Sequence, residues 1–145
     1  MRNITRTLPA LGLGLMLQAS AFAATTCSIS TPKGIWGFTY EGFDLAQNAY
    51  CAGIGILTFS TGNLSNNVVK VTLQRESCNG ATVGPLGSAS GTYSVTSTCT
   101  GRSTNLAYTG GDVGRLDFNI VEAGQRLQFL LVINQLTLHG EALKR

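Results

Sequence analysis

The sequence predicts an all-β fold, a small antiparallel up-and-down barrel of about eight strands with a two-sheet sandwich as the alternative. Three observations carry this. Apolar and polar residues alternate in run after run, the two-residue period of a half-buried strand, while helical periodicity is almost absent. Short turn signals such as Thr61-Gly62-Asn63, Cys78-Asn79-Gly80, Gly110-Gly111-Asp112, Glu122-Ala123-Gly124 and Asn134-Gln135 separate the runs. A meander this long has two exposed edges, and closing it into a barrel removes them.

The first segment is expected to stand outside the fold. Arg2 and Arg6 precede an apolar run, Leu8 to Leu17, that is short for a bilayer span, and Ala21-Phe22-Ala23 supplies a small-residue cleavage signal. This pattern predicts a signal peptide over residues 1–24 and one β-barrel domain over 25–145; the competing pattern is a retained anchor. Ala24-Thr25-Thr26 before Cys27 lacks the leucine and small-residue pattern of a lipoprotein signal. The expected location is the periplasm or the extracellular space.

The strands follow in order. Trp36, Phe38 and Tyr40 share one face of the first. Leu57 and Phe59 share a face between Cys51 and Ser60, and Val69, Val71 and Leu73 alternate with Lys70 and Thr72. Gln74 to Ala89 reads as the longest irregular stretch and holds Cys78 and Pro85. Tyr93 and Val95 are expected to point inward, with Gly91 allowing the strand to bend or be covered. Arg102 to Tyr108 is a weaker strand. Leu116, Phe118 and Ile120 share a face, as do Leu127, Phe129, Leu131 and Ile133, and then Leu136 and Leu138. Leu130 and Val132 make the Gln125–Ile133 strand apolar on both sides, so its outer pair is expected to be covered by the long loop or by a second copy of the chain.

Composition removes several functions. Of ten Lys and Arg, Arg2 and Arg6 fall in the leader, leaving eight bases against seven acids and no basic cluster, so no nucleic-acid partner is expected. After the leader no apolar run reaches transmembrane length. An outer-membrane barrel would need an apolar outer band, yet Lys70, Arg115, Asp117 and Asn119 are expected outside and the chain ends in Lys144-Arg145.

Cys27, Cys51, Cys78 and Cys99 all follow the leader, and an even count in an exported chain implies two disulfides. Three pairings are open; proximity in sequence favours Cys27–Cys51 and Cys78–Cys99. Zinc is the competing use, but there is no C-x-x-C and the one histidine, His139, lies far along the chain, so neither metal nor cofactor is expected.

No catalytic set is legible. There is no G-x-S-x-G, and His139 is expected to face solvent with Thr137 and Glu141. Asp44, Asp117, Glu122 and Glu141 lie in separate segments with nothing to mark two of them as an acid–base pair, and Asp112 sits in a turn. The balance favours a protein that is not an enzyme, although a barrel cyclase or isomerase needs few polar residues. The aromatic residues Trp36, Phe38, Tyr40, Phe59, Tyr93, Phe118 and Phe129 would line a ligand cavity or fill the barrel. With about 120 residues over eight strands, filling is preferred.

Several segments resemble their counterparts in a group of small exported bacterial proteins of unknown function. "GTYSVTSTCTG" (91–101) resembles their "GTYTVxxDCTG", "GIWGFTYEGFD" (34–44) their "GTYGFxxxGFD", and "GILTFSTGNLS" (55–65) their "GVLTFDGxGNxSG". Ser60 and Thr61 stand where that group has Asp-Gly, which removes the acidic residue there. The resemblance covers most of the mature chain and implies a small β-barrel-like domain without catalytic residues. More loosely, Gly34-Ile35-Trp36 resembles the G-x-W of lipocalin-like barrels, implying a Trp that closes one barrel end beneath Lys144 or Arg145. The expected function is a non-catalytic exported barrel holding a small apolar ligand. The alternative is a structural or interaction protein of the periplasm or cell surface with a filled core.

Overall fold

A computed structural model describes residues 26–62, 67–83, 87–109, 111–134 and 136–145; the expected leader and Pro85 lie outside them. The strands are β1 (Gly34–Asp44), β2 (Ala49–Ser60), β3 (Val68–Cys78), β4 (Ala81–Val83), β5 (Gly87–Thr92), β6 (Ser94–Val95), β7 (Thr100–Tyr108), β8 (Val113–Val121), β9 (Arg126–Ile133) and β10 (Leu136–Lys144). Hydrogen bonding runs β2-β1-β10-β9-β8-β7-β5-β3, and β3 pairs back onto β2. The sheet is therefore a closed antiparallel barrel of eight strands, as the alternation predicted, and the sandwich is set aside. β4 extends β5 along β3, and β6 continues it along β7 beyond Tyr93.

The stretch from Gln74 to Ala89, expected to be irregular, is mostly strand. β3 runs on to Cys78, turns at Asn79-Gly80 and returns as β4, and β5 begins at Gly87. Asn79 and Gly80 both hold positive φ, the backbone that a tight hairpin turn requires and that Asn and Gly accept at least cost. Without a long loop, Leu130 stays open to solvent (36% exposed) and Val132 is half-buried.

The disulfide pairing is also corrected. Cys27 joins Cys99 and Cys51 joins Cys78. Closeness in sequence was the wrong guide because register sets which side chains meet. Cys51 and Cys78 lie directly opposite on β2 and β3, while the segment before β1 crosses a barrel end and delivers Cys27 to the β6–β7 turn.

The two barrel ends differ. At one, residues 26–33 form a strap over the aromatic interior. Pro32 is fully buried, its carbonyl accepts from Trp36 Nε1 at 2.7 Å, and Tyr93 Oη donates to the Ile29 carbonyl at 2.9 Å. Lys144 Nζ lies 5.4 Å from the Trp36 ring centroid, the cation–π contact expected of the last strand. The other end, where β1 meets β2 and β7 meets β8, carries the polar groups described next.

Candidate functional site

Every aromatic residue singled out in the sequence points into the barrel. Trp36, Phe38, Tyr40, Phe59, Tyr93, Phe118 and Phe129 are between 0% and 6% exposed. Their rings meet edge to face: Phe59 lies 5.1 Å from Tyr93 and 5.2 Å from Phe118, and Phe38 lies 5.2 Å from Phe129. Such pairs stabilise beyond the area they bury.

The rings also rest on glycine. Register sets Phe38 opposite Gly55, Tyr40 opposite Gly53, Phe118 opposite Gly101 and Phe129 opposite Gly140. A Cβ at any of these four glycines would overlap the ring it faces. Ring and glycine thus share one volume across the strands, and the interior toward the strap is filled by side chains.

At the opposite end two irregularities change which residues face inward. Between Ile54 and Gly55 the β2–β3 register shifts: Leu73 pairs with Gly55, Arg75 with Ile54 and Glu76 with Gly53. Gln74 is the extra residue, so Glu76 turns inward where strict alternation from Leu73 would send it out. β7 does the same between Ser103 and Leu106, where Thr104 and Asn105 are both exposed and Tyr108 turns inward. One bulge delivers a carboxylate and the other a phenol.

These groups meet Tyr40. Its Oη donates to Glu76 Oε1 at 3.2 Å. Cys51 and Cys78 place their sulfurs within 4.8 Å of the Glu76 carboxylate. Joined as a disulfide, these sulfurs are not thiolates and offer a metal no ligand. Burial pushes the Glu76 carboxyl above its usual range and Asp44 adds to this, while the Tyr40 hydrogen bond pulls the other way. Burial, then Glu76, push the Tyr40 phenol up, and burial pushes the Tyr108 phenol up. Among the described residues Tyr108 Oη is buried with no hydrogen-bond partner, as is Ser103 Oγ further along the same strand face. Glu76 takes part in no ion pair among the described residues.

The outer face carries the remaining charges. His139 Nε2 lies 3.2 Å from Glu41 Oε1, both well exposed, and the solvent-facing position expected for His139 holds. The Tyr50 hydroxyl hydrogen-bonds Glu41 and is the main cause of its lowered pKa. Asp117 pairs with Arg102 and Arg115, Glu122 and Glu141 with Arg126, and Asp44 Oδ1 accepts from the backbone of Ala46 and Gln47. The four acids considered for catalysis are thus each engaged in surface structure. Two shallow grooves, about 660 and 480 Å³, run over this face and share Gln128.

Sequence reasoning missed Glu76, Tyr108 and Ser103. Glu76 fell in the stretch read as irregular, and Tyr108 closed the weakest strand. The adjacent polar pair Thr104-Asn105, between Ser103 and Leu106, was the one visible hint of a bulge.

No protein-family model matches the sequence, and no curated protein does either. Solved structures share the fold. A redesigned β-barrel aligns with TM-score 0.61 at 14% identity over 85% of this chain and 99% of its own. A redesigned barrel, mFAP1, bound to DFHBI aligns with TM-score 0.51 at 12% identity over 81% and 98%. EF1p2_mFAP2b, also bound to DFHBI, aligns with TM-score 0.54 at 11% identity over 85% and 100%. At such identities the likeness shows a closed β-barrel and nothing finer.

Proposed function

We propose that the protein is an exported, non-catalytic β-barrel that holds a small, largely apolar ligand at its Tyr40–Glu76–Tyr108 end. One observation carries this: two separate bulges turn a carboxylate and a phenol toward the same end of the barrel, and the phenol's hydroxyl is buried without a partner among the described residues. Bulges that re-aim side chains cluster near functional sites, and a buried hydroxyl left unpaired costs about 1–3 kcal/mol. A ligand group that pairs with it would remove that cost. The filled interior toward Trp36 supports a site at the mouth rather than a deep cavity. Two disulfides suit the periplasm or the extracellular space. The resemblance of three segments to small exported bacterial proteins favours the same setting.

Calorimetric titration of the exported protein with fatty acids, sterols, aromatic alcohols and amines tests the proposal. Saturable binding is expected for at least one class, weakened about tenfold in Tyr108→Phe, the loss of one hydrogen bond. If no class binds, or if Tyr108→Phe binds as tightly as wild type, the site is elsewhere.

The outer grooves favour a second reading, an interaction protein working through its outer face, with Leu130 between His139 on β10 and Asp117 on β8. Leu130→Ser with Val132→Thr would then shift the sedimentation of the folded protein toward a smaller species. Unchanged sedimentation at all concentrations removes a homo-oligomer through this strand.

A further inference from the structure

The mouth has an uncompensated charge. Glu76 is partly buried, and its one hydrogen-bond partner among the described residues is the Tyr40 hydroxyl, which accompanies the carboxylate without neutralising it. No Lys, Arg or His forms an ion pair with it among the described residues, whereas Asp117, Glu122, Glu141 and Glu41 on the outer face all have basic partners. Partly buried carboxylates are ordinarily paired. The surroundings of Glu76 are the Cys51–Cys78 sulfurs, the Tyr40 hydroxyl and the Asp44 carboxylate, whose charge adds to the rise in the Glu76 pKa, with Tyr108 near enough to Tyr40 to raise its pKa. A partly buried carboxylate beside a phenol hydroxyl and polarizable sulfur, with no basic partner among the described residues, is a receptor for an alkylammonium group. The carboxylate supplies the charge-assisted hydrogen bond that an ammonium group takes.

Resting on the mouth site proposed above, we infer that the ligand carries a primary or secondary amine, protonated at neutral pH, that pairs with Glu76 while its apolar body contacts the rim of the barrel. The ligand's other polar contact is then the Tyr108 hydroxyl. Burial raises the Glu76 pKa in the free protein, and a bound cation would lower it again, so amine binding and Glu76 ionisation are linked.

Two matched series test this on the disulfide-intact protein at neutral pH and low salt: octylamine, octanol and octanoate, and phenethylamine, phenethyl alcohol and hydrocinnamate. In at least one series the amine is expected to bind at least tenfold tighter than its alcohol, with the carboxylate weakest. Glu76→Gln is expected to cut amine affinity at least tenfold and to abolish the preference for amine over alcohol. Wild-type titrations at falling pH keep the test decisive if that variant does not fold. Amine affinity must drop as Glu76 takes up its proton while alcohol affinity stays level. Equal binding of amine and alcohol, tighter binding of the carboxylate, or an amine affinity insensitive to both Glu76→Gln and pH overturns the amine assignment and leaves the mouth site standing. If none of the six compounds binds, the mouth site fails with it.

Discussion

Tyr108 shows how one atom ties stability to function. Its hydroxyl is buried and unpaired, so the free protein bears a desolvation cost that binding would relieve. Tyr108→Phe is therefore expected to stabilise the unliganded protein, by about 1 kcal/mol, in urea unfolding; a variant less stable than wild type contradicts the assignment. Glu76 gives a pH signature. Its folded-state pKa lies above its usual 4.5, so the folded chain holds the proton more tightly than the unfolded chain. That stability is full below the ordinary carboxylate value and is lost as pH rises through the raised one. Glu76→Gln removes the titration, so its stability relative to wild type should increase as pH rises from the ordinary carboxylate value through the raised one. A constant difference would mean that Glu76 is not desolvated. Gly101 makes the packing test. A Cβ there overlaps the Phe118 ring, and the ring is held between Phe59 and Tyr93. Gly101→Ala should cost about 1–3 kcal/mol, and less in a Phe118→Leu background where the space exists; a double-mutant cycle with no coupling would deny the shared volume.

At the scale of elements, the strands were legible and their irregularities were not. Alternation in Trp36-Gly37-Phe38-Thr39-Tyr40 or Leu127-Gln128-Phe129 states which face is buried, because the pleat has a period of two and one side meets the core. A bulge adds one residue, leaves composition unchanged and reverses the faces beyond it. Gln74 does this in β3, so no reading of alternation could place Glu76 inward. The disulfides were hidden for a related reason, since pairing follows register and the path of the strap, and both are tertiary facts. Peptide mapping should recover Cys27–Cys99 and Cys51–Cys78, and a Cys27–Cys51 peptide would contradict the register. From their sequence separations of 72 and 27 residues, chain-entropy arguments give about 4.4 and about 3.6 kcal/mol for the two cross-links. Cys27→Ser with Cys99→Ser should thus destabilise more than Cys51→Ser with Cys78→Ser, provided the strap stays seated on Pro32 and Ile29.

For the whole molecule, closure of the sheet explains both the filled half and the polar half. Eight strands give an interior just wide enough for side chains to fill, and the aromatic residues paired with glycine occupy it from the strap inward. Beyond Tyr40 a carboxylate, a phenol and a disulfide join the fully buried Leu116, Leu131 and Leu138. A barrel that merely needed a core would place leucine there, as Leu131 and Leu138 do on neighbouring strands. These polar groups at one end are what the proposed mouth site rests on.

The most direct test is an amide, indole and side-chain NMR titration of the disulfide-intact protein with octylamine. Trp36 is the only tryptophan, so a single indole signal reports the filled end, while Tyr108, Glu76 and Leu138 report the mouth. Saturable shifts at the mouth with the Trp36 indole unmoved are the predicted result. A shift of the Trp36 indole, with the mouth signals still, would place the ligand in the interior and contradict a core filled by its aromatic side chains.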